Sequence, residues 1–228
     1  MKKILFALLI SSTTFAQSIS PQEVLEKYFT AIGGKENMSK VNTFYGVATT
    51  TVMGQSMETI ESKKAPNKFS SIVDQGGVEL AKVIFDGSKA QITQMGNTQL
   101  IEGDGAKAML TQALIFPEQL YLEKDITLGS EPNEKHGDED CYVISVTGIP
   151  GLTTVKEYYS ISSGLKVKQA IDSPNGSVSV IFSDYKDYAP GIKFANKLVQ
   201  EAMGMTIEKV YSEIQVNSTI ADTDFEIK

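Results

Sequence analysis

The chain contains no arginine and no tryptophan, and only one cysteine and one histidine. Without arginine there is no guanidinium fork to grip a phosphate or carboxylate at two points, so every basic side chain is a lysine acting as a point charge. Without tryptophan, the flat apolar platform on which sugars often stack is missing. Cys141 has no partner for an internal disulfide, so the core alone must hold the fold. Tyr142, Val143, Ile144 and Val146 beside it mark it as a small buried hydrophobe on a strand. His136 falls in the polar, acidic stretch 131–140, where a solvated loop side chain is the expected reading and a lone general base the rarer one. One imidazole and one thiol in separate elements build neither a Ser–His–Asp or Cys–His relay nor a three- or four-ligand zinc site. Asp138, Glu139 and Asp140 lack the alternating oxygen ligands and central glycine of an EF-hand loop. Gly33-Gly34 and Gly76-Gly77 read as a helix stop and a turn rather than a phosphate cradle. No cofactor, metal or catalytic residue is therefore expected, although the 28 acidic residues leave a glycosidase-like carboxylate pair open.

What is present begins with an export signal. Lys2 and Lys3 precede an apolar run from Ile4 to Ile10, and Thr14-Phe15-Ala16 places small residues at the two positions a signal peptidase reads. That run is far shorter than the roughly 20 residues of a membrane-spanning helix, and no second run approaches that length. Cleavage after Ala16 makes Gln17 the first mature residue, with no cysteine there to carry a lipid anchor. Losing the two lysines takes the formal charge from −7 to −9. An acidic chain of this kind disfavours nucleic acid and anionic lipid surfaces as partners. Residues 17–228 fit one domain of the larger β type.

The mature chain opens with a helix. Ser20 is placed as N-cap, Pro21 as first helical residue and Glu23 to close a capping box, with Ile19 and Val24 as a hydrophobic staple. Val24, Leu25, Tyr28, Phe29 and Ile32 form an apolar stripe that ends at Gly33-Gly34, and residues 35–40 read as one more turn. From Val41 the period changes to two. Strands are expected at 43–53, 56–64, 68–75, 78–85, 89–95 and 98–102, with turns at Gly54-Gln55, Gly76-Gly77, Asp86-Gly87 and Gly96-Asn97. Residues 103–116 return to helical spacing through Ala106, Met109, Leu110, Ala113 and Leu114, and Pro117 ends that segment. Strands resume at 126–130, then after the 131–140 loop at 141–147, 154–162, 165–172, 178–188, 192–202 and 205–217. Breaks fall at Pro150-Gly151, Ser163-Gly164, Asn175-Gly176, Pro190-Gly191 and Gly204. Residues 220–227 read as a last short strand.

Short loops between alternating strands imply an antiparallel meander. A sheet of roughly eleven strands must curl to avoid long open edges. The expected fold is mainly β with two or three helices: a curved antiparallel sheet forming an incomplete barrel, its concave face covered by the N-terminal and 103–116 helices. The space between sheet and helices is where an apolar ligand would go. Phe69, Phe85, Met109, Leu110, Leu114 and Phe116 are its expected wall and lid. Met53, Met57, Met95, Met203 and Met205 are placed near it as flexible filling.

Three segments resemble a known family. Val24-Leu25-Glu26-Lys27-Tyr28-Phe29 with Ala31-Ile32-Gly33-Gly34-Lys35-Glu36 is similar to the opening helix of LolA/LolB-like outer-membrane lipoprotein-sorting proteins. Ala65-Pro66-Asn67-Lys68-Phe69 and Phe85-Asp86-Gly87 resemble that family's strand and turn, and Asn217-Ser218-Thr219-Ile220 with residues 222–225 its last strand. Similar segments accompany insulinase-type metallopeptidases, whose H-x-x-E-H motif is absent here. The resemblance implies a half-barrel carrier in the periplasm with an acylated lipid or lipoprotein as cargo. Carriers of this kind latch the lid with a sheet arginine; Lys68 is the nearest match and cannot make the same forked hydrogen bonds.

Three readings stay open: a carrier of an acylated ligand, an envelope interaction domain with a filled core and a protein partner, and a hydrolase of unknown type.

Overall fold

The computed structural model describes residues 19–173, 176–189 and 191–227. The cleavage point after Ala16 and the turn residues Asn175 and Pro190 lie outside them. Helix α1 spans Pro21–Ala31 and begins with the capping box: the Glu23 amide donates to Ser20 Oγ, and the Ser20 amide donates to the Glu23 carboxylate at 2.9 Å. Val24, Leu25, Tyr28 and Phe29 face inward. At Gly33, with φ at +130°, an added Cβ would lie 1.7 Å from the Gly191 carbonyl oxygen, so the helix end docks against a neighbouring turn only as glycine. A single-turn helix, α2 (Lys35–Met38), follows.

Thirteen strands come next: β1 (Thr43–Val52), β2 (Gln55–Lys64), β3 (Lys68–Gln75), β4 (Val78–Phe85), β5 (Ala90–Gln94), β6 (Asn97–Ile101), β7 (Thr127–His136), β8 (Glu139–Thr147), β9 (Thr154–Ser160), β10 (Lys166–Ser173), β11 (Gly176–Ala189), β12 (Ile192–Ala202) and β13 (Met205–Val216). They form one sheet in the order β6-β5-β4-β3-β2-β1-β13-β12-β11-β10-β9-β8-β7. Pairing of β1 with β13 joins two antiparallel meanders, and β6 and β7 are left as edges of an unclosed barrel. Residues 102–126 carry the chain from one edge to the other through α3 (Asp104–Lys107), α4 (Leu110–Ala113) and a 3-10 helix, Pro117–Leu122.

Several local expectations are corrected. Residues 131–140 are not a loop: they are the turn-ward half of the β7–β8 hairpin, with a bulge between Glu131 and Glu134 that takes up Pro132. Acidic side chains and a proline belong there because β7 is an edge that must resist pairing with another chain. The 103–116 segment is two separate turns of helix rather than one, and residues 220–227 contain a 3-10 helix, Asp222–Phe225, in place of a strand. Two hairpin turns fall one residue earlier than expected, at Met53-Gly54 and Met95-Gly96, while the Met203-Gly204 turn falls where the strand limits put it, and all three have positive φ at both central positions. That geometry matches the right-handed twist of the flanking strands. It also puts those methionines at the tips, 83%, 79% and 76% exposed, rather than near the interior.

Apolar burial is split. One core packs α1 on the β8–β9 side, through Leu25, Phe29, Ile144, Val146 and Tyr159. A second packs Ala106 and Ala113 of the lid on Phe69, Phe85 and Ala90 of β3–β5. Between them the middle of the sheet is not filled.

Candidate apolar cavity and its polar latch

A cavity of about 550 Å³ lies between α1, the lid and the central strands. Its volume is in the roughly 300–1,000 Å³ range of small-molecule sites. It touches β2, β1, β13, β12, β11, β10 and β9, seven neighbouring strands. Laid flat, seven strands at about 4.8 Å spacing would span about 29 Å, so one cavity can meet all of them only if the sheet bends round it. Val178, Val180 and Phe182 of β11 and Leu198 of β12 form the apolar floor, because alternate residues of each strand point inward. Tyr28 of α1 and Ile32 at its C-cap form one wall. Phe116 of the lid stacks on Phe194 with ring centroids 5.5 Å apart, and Phe194 meets Phe44 edge-on at 5.2 Å.

Against this apolar surface stands a buried charge cluster. Glu118 and Tyr121 come from the lid's 3-10 helix, and Glu157, Lys166 and Gln169 from β9 and β10. Lys166 Nζ pairs with the Glu118 carboxylate and lies 3.7 Å from Glu157 Oε2. Tyr121 donates its hydroxyl to Glu157 Oε1, and Gln169 donates to the same oxygen at 2.8 Å. Glu157 is 0% and Glu118 2% exposed. Burial works against the charge of Lys166, but the two carboxylates outweigh it and hold its pKa above the usual lysine range. Burial pushes Glu157 up, with Lys166 opposing. The cluster ties the lid to the sheet at its β7-ward end.

A second tie holds the lid from the opposite side. Lys63 of β2 reaches across to donate from Nζ to the Leu114 carbonyl at 3.0 Å. Burial lowers its pKa to about 8, with Glu61 pulling the other way. Lys68 does not take this role: it pairs with Asp222 of the C-terminal 3-10 helix at 2.8 Å. On this side of the sheet the cation that reaches the lid is five positions earlier.

Of the six residues expected to form wall and lid, Phe116 lines the cavity. Phe69, Phe85 and Met109 come together in the second core, beneath α3 and α4. Leu110 and Leu114 are half-buried on the lid, outside the cavity lining. Sequence reasoning missed Lys63, Glu118, Glu157 and Lys166. Its available signal was a glutamate on an inward row, since Val155, Glu157 and Tyr159 alternate and all three are buried.

No protein-family model and no curated protein sequence matches the chain. Solved structures do. A LolA superfamily protein from Nitrosomonas europaea superposes with a TM-score of 0.62 at 15% identity, over 92% of this chain and 99% of that one. A DUF1329 family protein from Desulfovibrio piger gives 0.58 at 13% identity, over 89% and 97%. A domain named for outer-membrane lipoprotein sorting, from Vibrio parahaemolyticus, gives 0.58 at 13% identity, over 90% and 93%. At these identities the likeness is one of architecture: the unclosed antiparallel sheet with its N-terminal helix and crossing lid is a LolA-like fold.

Proposed function

We propose that this protein is an exported, non-enzymatic carrier that holds an acyl chain, as a lipid or lipoprotein, between its sheet and its lid in the periplasm. The observation that carries this reading is the unfilled apolar space of about 550 Å³ between two otherwise well-packed cores. Close packing is the rule in protein interiors, so a largely apolar recess of this size that the protein's own side chains leave open offers room for a ligand. An acyl chain gains about 0.8 kcal/mol per buried methylene and needs no polar partner along its length. In this reading Phe116 contacts the chain, Phe69, Phe85 and Met109 seat the lid, and Leu110 and Leu114 move with it. The names of the similar structures agree with lipoprotein sorting. Among the described residues no helix is long and apolar enough to cross a membrane.

Native mass spectrometry of protein purified from cells, combined with titration of a fluorescent fatty acid, tests the proposal. Co-purifying lipid and saturable binding are expected; a ligand-free protein that binds no fatty acid removes the reading.

An envelope protein partner is a second reading with one observation in its favour. Met53, Val78, Met95 and Met203 are exposed at the β1–β2, β3–β4, β5–β6 and β12–β13 turns, which the antiparallel register sets along one rim. Exposed apolar groups gathered in one place mark interaction surfaces.

A further inference from the structure

The cavity presents a lysine charge that its surroundings do not neutralise. Lys63 lines the cavity, and among the described residues its one hydrogen-bond partner is the Leu114 carbonyl, 3.0 Å away. The rings of Phe44 and Phe69 each lie 5.9 Å from its Nζ. Two carboxylates act on it, Glu61 of β2 and Glu118 of the lid, and both are engaged elsewhere. Glu61 pairs with Lys209 of β13 and accepts from the Tyr211 hydroxyl; Glu118 pairs with Lys166 of β10. The charged groups facing Lys63 from β2, β13, β10 and the lid are therefore two ammoniums and two carboxylates, each carboxylate already paired with another lysine. Glu157, the remaining carboxylate of the cluster, is bound to Lys166, Tyr121 and Gln169.

An ammonium has three donors, and here one is used. A cation withdrawn from water without a counter-ion is unfavourable, and a ligand that brings one relieves that cost. A carbonyl is a weaker acceptor than an anion, since hydrogen bonds to ionised acceptors are roughly twice as strong as neutral ones. An anion arriving at Lys63 thus finds two unused donors beside the one that Leu114 holds.

We propose that the cavity selects amphiphiles with an anionic head, a carboxylate or a phosphate ester, which accepts from the two unused donors of Lys63 Nζ while the chain lies along the apolar floor. This rests on the carrier reading and names the class of its ligand.

The test is displacement of a fluorescent fatty acid by laurate, dodecanol and lauroyl lysophosphatidate, read as dissociation constants. At pH 7 the wild-type protein is expected to prefer laurate to dodecanol by about tenfold or more, the scale of one charge-assisted hydrogen bond. In Lys63→Met that ratio falls to near one. With Lys63 near 8 in the empty protein, the wild-type preference declines as pH rises beyond that value. Lys63→Arg keeps it at pH 9, which provides a folded comparison should the methionine variant be unstable. Laurate against lysophosphatidate tells a carboxylate site from a phosphate site. Equal binding of laurate and dodecanol by the wild type overturns this proposal and leaves the carrier reading intact. So does a preference that survives Lys63→Met, or one that instead vanishes in Lys193→Met, the third lysine of the lining. Failure of every ligand to displace the probe, or of the probe to bind, overturns both.

Discussion

Replacing Lys166 by methionine removes the ammonium shared by two buried carboxylates, Glu118 and Glu157. Glu157 Oε2 already lacks a hydrogen-bond partner, so after the change it faces no compensating group at all. Breaking a buried ion pair from one side costs about 3–5 kcal/mol, because the charge left behind is uncompensated. Lys166 borders the cavity, where water can enter, so the lower end of that range is expected. For a chain of this size the loss corresponds to a fall in Tm of about 6–12 °C. The pH dependence carries the sharper information. Burial raises the folded-state pKa of Glu157, so its contribution is full below its unfolded pKa and is lost as pH rises through the folded value. Lys166 opposes that rise, and without it the folded pKa climbs further. The deficit of the variant is therefore largest near pH 7 and shrinks on acidification towards pH 5. Adding Glu118→Gln recovers part of it at pH 7 by removing one of the stranded charges. Denaturant melts of the wild type, single and double variants at pH 7 and 5 measure all of this. A loss under about 1 kcal/mol, or one that does not change with pH, would refute the buried cluster as described.

Shortening a fatty-acid ligand by two methylenes should weaken binding about 15-fold, from about 1.6 kcal/mol of lost apolar burial, over the range of lengths the cavity holds; a flat series in the same displacement assay argues against chain burial. Ala195→Phe, which projects a ring into the cavity, should lower fatty-acid affinity by tenfold or so while leaving the melting midpoint near wild type, since it fills empty space rather than packed core; unchanged affinity would place the ligand elsewhere. Met53→Asn, Met95→Asn and Met203→Asn should each raise stability by about 0.5–1 kcal/mol, because asparagine tolerates the positive φ of these turns better than methionine does. Thermal melts decide this, and uniform destabilisation would mean that the exposed methionines make contacts worth more than the turn preference.

The parts of the fold that were readable in the sequence are those whose cause is local. The Ser20–Glu23 capping box, the α1 stripe and most strand limits follow from spacing and turn chemistry a few residues long. The β7–β8 hairpin escaped because its composition reflects the needs of an edge, and charges with a proline look like a loop. The lid was legible as helical but not as two broken turns. Its backbone is held by tertiary contacts, Lys63 to Leu114 and Glu118 to Lys166, that join residues 51 and 48 positions apart. The same distance hides the polar latch: alternation reads an inward lysine as belonging to the wet face until its carboxylate partner is known. Met53 and Met95 show the converse error, apolar side chains assigned inward when a one-residue shift of the turn puts them at its tip, and Met203 sits at the tip of a turn whose strand limits were read as they stand.

The most direct measurement is a crystal structure with a fatty acid brominated at its terminal carbon, located by anomalous scattering. The bromine peak is expected inside the cavity, among Val180, Phe182, Phe194 and Leu198. A peak confined to the outer surface, or a cavity closed by the protein's own side chains with no peak, would contradict the claim that this space exists to hold a chain.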